Sequence, residues 1–366
     1  MTPRSRVAVA ESNRRAFSLT ELLIAMTIAL MVMGSVAQLF SLFGRGLSGS
    51  QATVELTARM RATAWQLRKD LTGITCDVVP WLAPEAGAGY FEYVEGTRND
   101  QSAAGGTTNL EADTDDVLLF TSRSLGDPFV GASVTSGTAE AKDAEIAWFC
   151  RAMPTQPVSG VTMHNLYRRQ LLVSAVPATG VFAGGALTSG SGTPFSSRVG
   201  IDGRRYPNAL GNLTRRPSRF VTRGVFPSAF PGASAVGATL DGDETGDDVV
   251  LTNVIAFDVR AFEPQRGGAT GPGAFIDLAS GGAGNLGANP AVSSGVTTPT
   301  YETSDALNWL QKVSTPTINQ WGLNGFNYTF TAPYDVPLRG IEIRLRCYEP
   351  TSKQVRQVTI RHSFVK

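Results

Sequence analysis

Phe17 to Phe43 reads as one apolar run, FSLTELLIAMTIALMVMGSVAQLFSLF, with Glu21 as its only charge. The run is 27 residues long. As a helix it extends about 40 Å, and a bilayer core requires only about 20 residues. The pattern then changes without stopping. From Gln51 to about Thr72 the chain is polar, with Leu56, Met60, Ala64, Leu67, Leu71 and Ile74 at intervals of three and four. That spacing is the stripe of an amphipathic helix, and Arg59, Arg61, Arg68 and Lys69 fall on its other faces. No proline lies between Pro3 and Pro80. One long helix is therefore predicted, its lower half in a membrane and its upper half packed on a globular head. Gly34, Gly44, Gly46 and Gly49 weaken its middle. Each costs about 1 kcal/mol relative to Ala, so a bend or local melting is predicted near Gly44–Gly49.

Beyond residue 76 the period becomes two. Val117–Ser122, Glu145–Cys150, Leu166–Val173, Val249–Phe262, Gly340–Tyr348 and Gln354–Ser363 are rich in β-branched and aromatic residues and read as strands. Ile341, Ile343, Leu345 and Cys347 alternate with polar neighbours, which predicts one buried face, and Glu349–Lys353 reads as the hairpin joining the last two strands. A short helix is predicted over Asp305–Val313. Long Gly/Ser/Thr/Pro-rich connections separate these elements, at about 131–142, 175–197, 229–246 and 265–299. The fold class is α+β: a long N-terminal helix packed on an antiparallel β-sheet head with long loops. The segments are 1–16, a basic leader; 17–43, the membrane half; 44–75, the amphipathic half; and 76–366, the head. The head admits two β subdomains, because Asp115-Asp116 and Asp247-Asp248 lead into similar strands; shared strand-entry chemistry explains the same echo.

Composition narrows the function. Lys plus Arg number 32 and Asp plus Glu 31, a balance that excludes a strongly basic nucleic-acid binder. The two histidines, His164 and His362, cannot build a histidine-rich metal site, and three cysteines, Cys76, Cys150 and Cys347, cannot build a disulfide scaffold. No bridge among them is expected. GxSxG, HExxH, CxxC and GK[ST] are all missing from the sequence. The two GxGxxG matches, at 44–49 after the apolar helix and at 282–287 inside a Gly/Ala-rich loop, read as chance. The reading is a non-enzyme without cofactor or metal. Two charged stretches carry alternatives. Arg198, Arg204, Arg205, Arg215, Arg216, Arg219 and Arg223 form either a partner- or nucleic-acid-binding face or, the favoured reading, a solvated loop. Asp241–Asp248 is either a calcium loop or a polar turn; it departs from the EF-hand pattern, with Thr252 where the bidentate Glu belongs.

The N-terminus is the most specific feature. Arg4, Arg6, Arg14 and Arg15 precede the apolar run and place that end on the cytoplasmic side. A secretory signal has a shorter core, and a plain anchor has no use for an intramembrane carboxylate. Arg14-Arg15-Ala16-Phe17-Ser18-Leu19-Thr20-Glu21-Leu22-Leu23-Ile24 closely resembles the type IV prepilin signal. The resemblance implies cleavage between Ala16 and Phe17 by prepilin peptidase, N-methylation of Phe17, and an assembly role for Glu21 opposite the Phe17 amine of a neighbouring subunit. Ala16 departs from the Gly usual in that family. The head, more loosely and over about a third of the chain, resembles the large minor pseudopilins of the J type in type II secretion and minor pilins of the W type. It also resembles the pilin-like proteins called Verru_Chthon cassette protein C. Glu21 argues against the K-type tip pseudopilin, which lacks it.

These resemblances imply a minor pilin or pseudopilin, a structural subunit at or near the tip of a type II secretion pseudopilus or type IV pilus. Its partners would be prepilin peptidase, other minor subunits, the major subunit and the inner membrane. It would cross that membrane once, with its head on the periplasmic or extracellular side. A nucleic-acid partner is not expected, and a pilus-tip adhesin or DNA-binding minor pilin is the alternative.

Overall fold

A computed structural model describes residues 18–96 (less 81 and 83), 113–133, 137–158, 161–174, 182–183, 186–187, 194–199, 204–215, 218–219, 247–264, 272–280, 286–287, 300–303, 334 and 336–365. The apolar run and the amphipathic stretch form a single helix, α1, Leu19–Thr72, about 80 Å long at 1.5 Å per residue. The melting predicted at Gly44–Gly49 does not occur. Ser48 and Thr53 return their hydroxyls to the carbonyls of Gly44 and Gly49, each at 2.9 Å. Propagating a helix adds one hydrogen bond per residue, so isolated glycines between strong helix formers lower its stability without interrupting it. Gly73 ends the helix. Its N–H bonds the Lys69 carbonyl at 3.2 Å, and a Cβ there would overlap the Arg123 carbonyl and the Ser122 hydroxyl.

The head contains β1 (Phe91–Val94), β2 (Val117–Arg123), β3 (Phe129–Ser133), β4 (Gly137–Ala141), β5 (Asp143–Ala152), β6 (His164–Val173), β7 (Phe182–Ala183), β8 (Ala186–Leu187), β9 (Ser197–Val199) and β10 (Arg205–Pro207). The short helix α2 (Leu210–Leu213) follows, then β11 (Asp247–Glu263), β12 (Ala274–Ile276), β13 (Thr300–Glu302), β14 (Gly340–Glu349) and β15 (Gln354–Ser363). Among the described residues, nine strands make one antiparallel sheet in the order β13-β1-β2-β5-β6-β11-β14-β15, with β12 on the flank of β11. Read along the sheet from β1, this is an up-and-down meander, and the remaining strands form small hairpins inserted between its members. The strands entered from Asp115-Asp116 and Asp247-Asp248 therefore belong to one sheet. The helix expected at Asp305–Val313 lies outside the described residues.

All the large apolar residues of the α1 stripe from Leu56 to Leu71 are buried, packed with Phe91, Phe120, Trp148, Phe257, Ile343 and Leu345 of the sheet. The other face of β2, β5 and β6 is buried too, where Val117, Leu119, Phe149, Tyr167 and Leu171 meet Leu213 of α2. Covering both faces explains why β2 reads as a continuous apolar run instead of an alternation. Ile341, Ile343, Leu345 and Cys347 are all buried, as the alternation in β14 predicts. The β14–β15 hairpin touches α1 lowest. Thr53 Oγ1 lies 3.2 Å from Ser352 Oγ, and a Cβ on Gly49 would sit 3.7 Å from that of Ser352. Below this point α1 stands clear of the head, and its large apolar residues from Leu19 to Phe43 are exposed to the surroundings. This half is long and apolar enough to cross a membrane.

Candidate functional site

The free end of α1 is built around Ser18 and Glu21. Ser18 is the N-cap: its Oγ accepts the Glu21 N–H at 3.2 Å, and Glu21 Oε2 accepts the Ser18 N–H at 3.1 Å. This reciprocal capping box uses two of the N–H groups that a helix start leaves unpaired, and it puts a carboxylate at the positive end of the helix dipole. Glu21 thus has a local structural partner. The carboxylate lies beside the backbone that follows Phe17. Ala16 and Phe17 themselves lie outside the described residues.

The upper end of α1 is locked to the sheet by one carboxylate. Asp70 is 1 % exposed and accepts from Arg168 Nε at 2.7 Å, Arg168 Nη2 at 3.0 Å, Trp148 Nε1 at 3.1 Å and Gln66 Nε2 at 3.0 Å. Its carbonyl accepts from Ser122 Oγ at 2.9 Å. Helix and sheet are thereby fixed in rotation as well as in distance. Facing outward on α1, Val54 and Trp65 are 70 % and 62 % exposed, and Lys69 Nζ lies 5.5 Å from the Trp65 ring. Eleven residues apart is three helical turns, so the two share one side of the helix.

The basic stretch is corrected by the structure. Arg219 is neither on a binding face nor on a solvated loop; it is 1 % exposed. Its Nη1 lies 2.7 Å from both Glu92 and Glu302, Nε donates to the Leu213 carbonyl at 2.8 Å, and Nη2 donates to the Thr214 carbonyl at 2.9 Å. The guanidinium also stacks 3.7 Å from the centroid of the Tyr90 ring. Burial works against its charge, but Glu302 and Glu92 outweigh burial and raise its pKa above the ordinary value. Arg198 also turns inward, to the Pro207 carbonyl and to Asn212 Oδ1. Of the Asp241–Asp248 loop only the last two residues are described. Asp247 is taken up in ion pairs with Arg169 and Arg151.

A second group was not singled out by the sequence. Glu95, Asp113 and Asp116 are all buried, and each offers a ligand oxygen within 4.8 Å of the others. Their positions follow from β11, which outruns β6: the β6 pairing ends at Val254↔His164, and β11 continues to Glu263. The flank exposed by that mismatch is filled from the β1–β2 end. The Phe257 N–H donates to the Asp113 carbonyl and the Val259 N–H to Asp116 Oδ2, both at 2.7 Å. The Tyr93 hydroxyl sits between the Val259 carbonyl and Glu95 Oε2. Burial, then neighbouring acids, push the Asp113 carboxyl up to about 10. Burial first, with Asp277 and Asp258 nearby, pushes Glu95 up to about 8.

Cys76, Cys150 and Cys347 are free thiols, and burial pushes those of Cys76 and Cys347 up to about 12. His164 approaches Thr114 at 3.5 Å, and His362 packs on Phe364 with ring centroids 5.0 Å apart.

Residues 12–37 match the family described as the prokaryotic N-terminal methylation motif. No curated protein and no solved structure matches the chain. The match covers the segment that contains Ala16, Phe17, the Ser18–Glu21 cap and most of the membrane-length helix, so the chain carries a type IV pilin-like precursor signal.

Proposed function

We propose that this protein is a minor pilin or pseudopilin, a non-enzymatic structural subunit at or near the tip of a type II secretion pseudopilus or type IV pilus. Prepilin peptidase removes residues 1–16 and leaves an N-methylated Phe17. The chain waits in the inner membrane on one span, with its head on the periplasmic or extracellular side, and is then drawn into the filament beside other minor subunits and the major subunit. The observation that carries this reading is α1 itself. One uninterrupted helix begins at the precursor signal, runs bare and apolar for a membrane's thickness, and ends gripped by a β head. A bare apolar half has two uses in sequence, a lipid span and then a packing surface against the half-helices of neighbouring subunits. Glu21 gives that second state a register, since a buried carboxylate requires a partner charge.

The size of the head supports a position at the tip. The described residues of the head alone scale to a body roughly 40 Å across, whereas packed helices lie about 8–10 Å apart. A subunit this broad crowds its neighbours when repeated along a filament and fits where the filament ends. The test is site-specific crosslinking in cells from Trp65, replaced by a photoreactive residue. Crosslinks to pilin-like subunits, at a stoichiometry far below that of the major subunit, support the reading. Crosslinks in proportion to the major subunit, or to none of these proteins, contradict it.

A further inference from the structure

The buried carboxylates at the β1–β2 end are more than strand-end caps. The capping function accounts for some of their oxygens. Asp116 Oδ1 accepts the Gly96 N–H at 3.0 Å and Oδ2 the Val259 N–H at 2.7 Å. Glu95 Oε2 accepts the Leu278 N–H at 3.0 Å, and Asp113 Oδ1 accepts the Asp115 N–H at 3.2 Å. Two oxygens remain. Glu95 Oε1 and Asp113 Oδ2 accept from no protein N–H or hydroxyl, on residues that are 3 % and 1 % exposed, and the Asp113 carboxyl faces a further acid, Asp115. A buried acceptor left without a donor costs free energy, and a buried charge left without a counter-charge costs more. Neither oxygen is needed to cap a strand, so the capping role does not explain why these positions carry acids.

Arg260 on β11 and Arg344 on β14 are occupied by other carboxylates. Arg260 Nε lies 3.0 Å from Asp258 and 3.2 Å from Asp277. Arg344 Nε lies 2.8 Å from Glu342. The chemistry of the donors is uniform, all carboxylate oxygen without His or Cys, which suits a hard cation and not zinc. Burial narrows the choice further. Magnesium dehydrates reluctantly and keeps several waters, whereas calcium accepts a flexible cage of protein oxygens. The three carboxylates here are all buried, with ligand oxygens close enough to share one ion.

We infer that Glu95, Asp113 and Asp116 form a binding site for one calcium ion, seated between the β1–β2 end of the sheet and the free flank of β11. The ion takes up the two oxygens without a donor and offsets two of the three carboxylate charges. It ties Glu95 after β1 and Asp113 and Asp116 before β2 into one unit, and through Val259 and Leu278 it braces that unit against β11 and the segment after β12. This inference does not depend on the filament role.

The test uses the full chain in detergent, stripped with chelator and titrated with Ca2+, Mg2+ and Tb3+. The expected result is one Ca2+ per chain, a higher Tm with Ca2+ than with chelator, and Tb3+ emission sensitised by the adjacent Tyr93 and displaced by Ca2+. Asp113→Asn keeps the oxygen that accepts the Asp115 N–H, so it should fold; it should weaken Ca2+ binding by about tenfold or more, through the lost ligand charge, and quench the Tb3+ signal. Two results would overturn the assignment. One is a Tm indifferent to Ca2+ together with an Asp113→Asn variant that is more stable than the parent in chelator and calcium alike, the behaviour of a carboxyl cluster that holds protons. The other is tighter binding of Mg2+ than of Ca2+.

Discussion

Asp70 on the helix and Arg168 on β6 form a two-pronged pair, at 2.7 and 3.0 Å, with both side chains buried. They are 98 residues apart in sequence, and their contact fixes which side of α1 meets the sheet. Removing one partner strands the other charge in the core, which costs about 3–5 kcal/mol. Asp70→Leu and Arg168→Met should each lower the Tm of the full chain by about that equivalent. The double variant Asp70→Leu with Arg168→Met should recover much of the loss. Thermal unfolding of the four proteins in the cycle gives the coupling directly, and additive losses would show that the pair carries no coupling.

Arg219 makes a separate prediction. Its fork reaches two carboxylates and two carbonyls at once, a geometry that the single ammonium of Lys cannot reproduce. Arg219→Lys and Arg219→Ala should both destabilise the head, by about 3 kcal/mol or more for Ala, since Glu92 and Glu302 are left facing each other. Denaturant unfolding checks the size of the loss. A neutral Arg219→Lys would remove the argument for the fork.

Trp65 is predicted to behave in the opposite way. It is exposed and supports no core contact, so Trp65→Ala should change folding stability by less than about 0.5 kcal/mol. Incorporation into filaments should fall, because exposed aromatics at interface centres carry much of the binding energy. Comparing Tm with recovery in sheared filaments separates the two effects.

Acid should loosen the last hairpin. Burial raises the pKa of Glu342, but hydrogen bonds and charge from Arg361 and Arg344 outweigh it and hold the group below its ordinary value. A carboxyl depressed in the folded state contributes stability above its unfolded pKa, near 4.5, and loses it as pH falls through the folded value. Stability measured from pH 7 down to pH 3 should therefore fall more steeply for the parent than for Glu342→Gln. Parallel curves would contradict the assignment.

The main elements were legible because they are local. The α1 stripe is a periodicity within one helix, and six strands of the meander advertise themselves by β-branched and aromatic content. The structure extends those strands by no more than a few residues at either end. What the sequence hid is non-local. Arg219 looks like one of seven arginines in a loop until Glu92 and Glu302 are brought to it from distant strands. Asp116 looks like an ordinary strand-entry acid until β11 outruns β6 and exposes backbone for it to cap. Gly44–Gly49 misled in the other direction, since local propensity is outweighed by the continuity of a helix of 54 residues.

The central claim is that α1 is released from a leader and used as a filament helix. Intact mass and N-terminal sequencing of the protein, from cells with and without prepilin peptidase, test it most directly. The expected product is a mature chain that begins at N-methylated Phe17 only where the peptidase is present. A chain that retains residues 1–16 in both strains, or one cut beyond Phe43, would contradict it.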